Sequence, residues 1–102
     1  MQNLGTLDNR YTLLLLAFNN INRSYYIARD NQNQIQYIIA IKGNNPDDNN
    51  NDFPANEINI LHTLNNVNNP YILHFIRNGN GQLNLQDGKS KNVAYLVFFY
   101  LI

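Results

Sequence analysis

Cysteine is absent from this 102-residue chain. That excludes a disulfide framework, a thiolate metal centre and a cysteine nucleophile, and it suits a reducing, cytoplasmic compartment. An excess of either charge is lacking too, because seven Lys and Arg balance seven Asp and Glu. With no net field to gather nucleic acid or an anionic membrane surface, neither is expected as a partner. Histidine is scarce. His62 and His74 are too far apart for a helix-spaced ligand pair and have no carboxylate cluster around them, so no metal site is expected. Long apolar runs are missing as well. Residues 13–18 are shorter than a signal-peptide core, with Arg10 as their only basic flank, and residues 93–102 make about half a membrane span.

What is abundant is asparagine, about a fifth of the chain, clustered at 19–22, 44–51 and 65–69. The apolar runs between these clusters stay intact, so the asparagines read as loop filler around a single domain with a modest core. The most informative stretch is 37–64. Ile38, Ile39, Ala40 and Ile41 form a β-branched-rich strand closed by Lys42, and Gly43, Asn44, Asn45 and Pro46 stop it. Asp52, Phe53 and Pro54 then sign a helix start. Glu57, Leu61 and Leu64 fall at i, i+4 and i+7, with Ile58 and Ile60 widening the stripe. A carboxylate on that face either meets a cation, Lys42 being the nearest candidate, or points to water from the stripe's margin.

In chain order, strands are expected at 11–18, 24–28, 35–42, 71–77 and from 95 to the end of the chain, with the helix between the third and fourth. Residues 19–23 and 29–33 turn between the first three, and Asn78-Gly79-Asn80-Gly81 and Asp87-Gly88 are strong turn signals around a long polar connection before the last. Short connections favour antiparallel neighbours. The expected fold is α+β: a five-stranded antiparallel sheet carrying one helix, in the order β-β-β-α-β-β. Residues 1–10 read as an N-terminal extension and 11–102 as the domain. An uncovered apolar strand at 95–102 would be sticky, so a following domain or a partner chain is expected to cover it.

This order of elements, with Ile39-Ala40-Ile41-Lys42 ending the third strand, resembles the N-terminal lobe of a eukaryotic protein kinase, whose Val-Ala-Ile-Lys motif it approximates. Phe53-Pro54-Ala55-Asn56-Glu57-Ile58-Asn59-Ile60-Leu61 is similar to the C-helix of that family. Asn69-Pro70-Tyr71-Ile72-Leu73 is similar to the entry to its fourth strand, and 95–101 to its fifth strand running into the hinge. The resemblance implies a lobe truncated at the hinge that binds ATP, with Lys42 on the α- and β-phosphates and Glu57 holding it. It further implies Ala40 in the adenine ceiling, Ala17 and Tyr25 flanking the phosphate loop, Phe98 as gatekeeper, and the backbones of Phe99 and Leu101 on the adenine. Leu61 and Phe75 would form the hydrophobic spine of the lobe.

The departures are equally definite. In register with Lys42, the positions of the phosphate-loop glycines and valine are held by Phe18, Asn20, Arg23 and Tyr25. Asn20 tolerates a left-handed backbone, whereas Phe18 and Arg23 adopt one only with strain. Neither the His-Arg-Asp catalytic loop nor the Asp-Phe-Gly metal motif occurs in the sequence. The chain is therefore expected to hold ATP weakly if at all, to use Mg only beside a kinase C-lobe, and to transfer no phosphate to protein Ser/Thr by itself. The alternatives are a pseudokinase-type interaction module without turnover, and a generic α+β domain with no nucleotide site.

Overall fold

A strand apolar on both faces needs cover on both, and two strands of this chain are built that way. β4 (Gln36–Lys42) alternates Tyr37, Ile39 and Ile41 with Ile38 and Ala40. β6 (Ser90–Phe99) alternates Val93, Tyr95 and Val97 with Ala94, Leu96 and Phe98. The two pair antiparallel, with Ile39 opposite Val97 and Ala40 opposite Leu96. In the computed structural model, which describes residues 3–43, 53–65 and 74–100, the two sets of side chains enter two different cores. The odd-numbered set joins Leu7, Tyr11, Leu13 and Leu83 inside a barrel. The even-numbered set joins Phe53 and Phe75 beneath a helix on the outside.

The remaining elements close that barrel. β1 (Gly5–Leu7), β2 (Tyr11–Asn19), β3 (Arg23–Asp30), β5 (Phe75–Leu85) and the helix α1 (Ala55–Leu64) complete the described fold, and the strands run in the order β1-β2-β3-β4-β6-β5. Every neighbouring pair is antiparallel, β1 and β5 included. β1 turns into β2 through Asp8 and Asn9, both at positive φ (56° and 51°), residue types that tolerate that conformation. α1 bridges β4 and β5. Its Ile58 and Leu61 pack on the outer core, and Glu57 in its first turn suits the helix dipole. The side chain of Asn65 clasps the backbone of Phe75, donating to its carbonyl at 2.5 Å and accepting from its N–H at 3.0 Å.

The open five-stranded sheet with a C-type helix, the arrangement of a kinase N-terminal lobe, is thereby corrected: the chain forms a closed six-stranded antiparallel barrel. The physical cause is β1, which lies within the stretch read as an extension. Gly5, at φ 150°, comes so close to β5 that a side-chain carbon there would collide with the carbonyl of Asn84. This tight approach sews the β2 and β5 edges together.

A second correction concerns Asn78-Gly79-Asn80-Gly81. These residues form no turn; they lie inside β5, paired with 93–96 of β6. Their glycines are cut-outs. A Cβ at Gly79 would meet the Tyr95 hydroxyl at 2.8 Å, and one at Gly81 would meet Asp8 Cβ at 2.6 Å. The space is taken by a part-buried hydrogen bond, Tyr95 Oη donating to Asp8 Oδ2 at 2.8 Å. Ile60, counted in the helix stripe, is exposed. β6 lies between β4 and β5 with Val93 to Phe98 all buried within the chain. The expected N-cap Asp52, and the residues 69–73 and 101–102, fall outside the described residues.

Candidate functional site

One end of the barrel gathers the chain's ammonium groups. Here β4 finishes at Lys42, β6 begins at Ser90 and Lys91, and the β5–β6 turn carries Lys89. Lys42, Lys89 and Lys91 are all the lysines the sequence has. Local chemistry fixes both turns at this end. In the β5–β6 turn, Gly88 takes φ 87° and Asp87 Oδ1 accepts the Lys89 N–H at 2.9 Å. In the β2–β3 turn, Asn20 Oδ1 accepts the N–H groups of Asn22 at 2.8 Å and Arg23 at 2.9 Å. The Gly43 N–H donates to the Asn22 carbonyl at 2.7 Å, tying the end of β4 to that turn.

Among the described residues, three clefts open here. The largest, about 540 Å³, lies along the β5–β6 turn between Leu83, Leu85, Asp87, Lys89 and Lys91. A second, about 300 Å³, shares Leu83, Leu85 and Lys91 with it and adds Tyr26, Ile41 and Lys42. The third, about 330 Å³, sits on the outside between Arg23, Lys42, Phe53 and Pro54. Lys42 thus stands in the wall between the inner and outer clefts. Each inner cleft has an apolar floor and a polar, cationic rim, the pattern of a site for a ligand with a charged end and an apolar body.

The sequence-predicted site residues divide between two places. Lys42 and Glu57 both lie near the third cleft, but the ion pair that Glu57 makes is with Arg23, Nη2 to Oε2 at 2.6 Å. Arg23 faces Lys42 directly across the β3–β4 ladder and stacks over Phe53 at 4.8 Å. Like charges opposite each other on a sheet repel, and the glutamate relieves that repulsion. Burial works to lower the pKa of Arg23, but its hydrogen bonds to Glu57 and Tyr25, together with the charge interactions with both, prevail and raise it. Sequence reading treated Arg23 as a turn residue; its place opposite Lys42 in a hairpin register was the signal that could have found it.

Ala40, Tyr25 and Phe98 meet elsewhere, in the outer core with Leu61 and Phe75. Ala40 is 0% exposed and opposes Tyr25 across the ladder, while the Phe98 ring leans on Phe75 at 5.7 Å. No surface of Ala40 is left for a ligand. Ala17 sits exposed at a bulge in β2. Phe99 is half-exposed, its N–H donated to the His74 carbonyl at 2.9 Å. Leu101 is outside the described residues. His62 serves as an aromatic edge against Phe75, ring centres 5.1 Å apart. Among the described residues no three His, Cys, Asp or Glu side chains gather as metal ligands, and no helix is long and apolar enough to cross a membrane.

Comparison with known proteins gives no family: no family model matches the chain, and no curated protein or solved structure is significantly similar to it.

Proposed function

We propose that this chain is a non-catalytic binding module for a phosphate-bearing ligand of the nucleotide type, with ATP as the representative to test. One observation carries the reading: every lysine of the chain lines the adjoining clefts at a single end of the barrel. An ammonium is a compact donor that phosphate oxygens take readily, and several converging on one cleft give an anion site its depth. Tyr26, Ile41, Leu83 and Leu85 supply an apolar floor on which a flat base rests. Lys42 keeps the phosphate-binding role that the kinase resemblance implies, with Lys91 as its companion and Arg23 taking up Glu57. The sequence carries no His-Arg-Asp or Asp-Phe-Gly motif, so the module binds without turnover. Absence of cysteine fits action in the reducing cytoplasm.

Calorimetric titration of the chain with Mg·ATP and with inorganic tripolyphosphate tests this. Wild type binds both, the nucleotide more tightly because its base uses the apolar floor. Lys42→Met and Lys91→Met each weaken ATP binding about tenfold, the worth of one charge-assisted hydrogen bond. Absence of heat or thermal shift at millimolar Mg·ATP, or lysine variants that bind like wild type, would refute it.

A further inference from the structure

Asparagine makes up about a fifth of the chain, yet glycine follows it at only two places, Asn78-Gly79 and Asn80-Gly81. Both steps lie in β5, with Gly79 opposite Tyr95 and Gly81 opposite Val93. Neither glycine is exchangeable, because a Cβ would strike Tyr95 at 79 and Asp8 at 81. The asparagines are under no such demand, and both are exposed. The segment is also held from one side. β1 takes residues 83–85 of β5, so among the described residues 77–81 pair with β6 alone. Two glycines add no side-chain packing there, and local opening is correspondingly easy.

We propose that these two Asn-Gly steps are self-modification sites, silenced by the β5–β6 ladder and released when it opens, and that their isoaspartyl product does not rebuild the barrel. In the reaction the glycine nitrogen attacks Cγ of the preceding asparagine. A succinimide ring closes, and the side-chain nitrogen leaves as ammonia, carrying off the proton of the glycine N–H. Water then opens the ring at one of its two carbonyls, giving aspartate or isoaspartate, and no other reactant is needed. In the ladder the asparagine side chain stands off the sheet while the glycine N–H lies within it, so nitrogen and Cγ are held apart. In the opened chain glycine has no Cβ to block the approach and samples conformations closed to other residues.

The two products differ on refolding. Aspartate keeps the backbone and places a charge at an exposed position. Isoaspartate routes the main chain through the side-chain methylene, which adds one backbone atom inside β5. Because β5 is held by β6 at 77–84 and by β1 at 83–85, that atom puts one stretch out of register with its partner. Tyr95 then loses the cut-out at Gly79. The glycines that the interior requires thus give the chain a one-way exit from its native state.

Peptide mapping of the full chain, incubated at mildly alkaline pH with and without guanidinium chloride, tests this. Mass spectrometry follows amide-to-acid conversion at each asparagine, with fragmentation that separates isoaspartate from aspartate. In denaturant, Asn78 and Asn80 convert ahead of every other asparagine; in the folded chain both convert at least about tenfold more slowly. When denaturant is removed, unmodified and aspartyl chains refold, and isoaspartyl chains collect in the unfolded fraction. The double variant Asn78→Gln, Asn80→Gln keeps its refolding yield through the same incubation. Equal conversion in folded and denatured chains overturns the proposal, as does a different asparagine leading in denaturant. Isoaspartyl chains that regain the native fold, or a double variant that loses yield as fast as wild type, overturn it too.

Discussion

Replacing Gly79 by alanine tests the packing of the barrel interior at a single atom. The added Cβ would lie 2.8 Å from Tyr95 Oη and 2.9 Å from its Cζ. Carbon atoms in contact sit at about 3.5–4.0 Å, so the ring must retreat by more than half an ångström. It has little room to do so. Tyr95 is 1% exposed, meets Tyr11 edge-on at 6.1 Å between ring centres, and donates its hydroxyl hydrogen bond to Asp8. Overpacking of this kind costs about 1–3 kcal/mol, and loosening a hydrogen bond to a carboxylate adds to it. Against this, alanine restricts the unfolded chain and returns about 0.4–1 kcal/mol. The net loss is about 2 kcal/mol, or a fall in Tm of about 8–16 °C for a chain this size. Urea and thermal denaturation measure it. The cause is isolated by a double-mutant cycle with Tyr95→Phe, which removes the atom closest to the new methyl and is expected to couple by about 1 kcal/mol. A Gly79→Ala protein as stable as wild type, or losses that simply add, would show that this glycine does not serve as a cut-out for the tyrosine.

Two further outcomes follow from polar contacts. Burial works to raise the Asp30 carboxyl, but the hydrogen bonds from Arg10 and the Gln32 N–H, with the charge of Arg10, prevail and hold it below its ordinary value of 3.8. A depressed carboxylate stabilises the fold above that ordinary value and loses the contribution as pH falls through the lower folded value. Arg10→Met strands a fully buried carboxylate, so it lowers stability by about 2–3 kcal/mol at neutral pH, Arg10 itself being partly exposed. It also moves acid unfolding to higher pH; an unchanged acid midpoint in urea titrations would refute the assignment. Asn65→Ala removes both hydrogen bonds to the Phe75 backbone, costing about 1–3 kcal/mol and speeding hydrogen exchange at the Phe75 amide. Unaltered exchange there would sink that reading.

What the sequence made legible was the buried character of β4. The unbroken run at 38–41 announced a buried strand, whereas the terminal run was expected to lie uncovered; in the structure both β4 and β6 are covered twice, by the barrel interior on one side and the outer core with α1 on the other. Closure was not legible. Gly5-Thr6-Leu7 is too short to show any period, and its pairing with Leu85, Asn84 and Leu83 is set by an approach that only glycine allows. Asn78-Gly79-Asn80-Gly81 misled for a related reason: glycine serves turns and close contacts equally, and which one operates depends on Tyr95 and Asp8, distant in sequence. At the candidate site, the place of Lys42 at the end of its strand was legible, but the residues gathered near it were hidden. Arg23 becomes a neighbour through hairpin register, and Lys89 and Lys91 through a long hairpin that had been read as a polar connection.

The position of β6 has a consequence for how the protein comes into being. Its two neighbours, β4 and β5, are both made before it, and β1, the piece that closes the ring, is made first of all. During synthesis Tyr37, Ile39 and Ile41 therefore lack their lateral partner until residue 99 has left the ribosome, and β1 waits for β5. The β2–β3–β4 hairpins are local in sequence, but closing the ring rests on the distant β4–β6 and β1–β5 pairings, and such non-local pairings make folding slow.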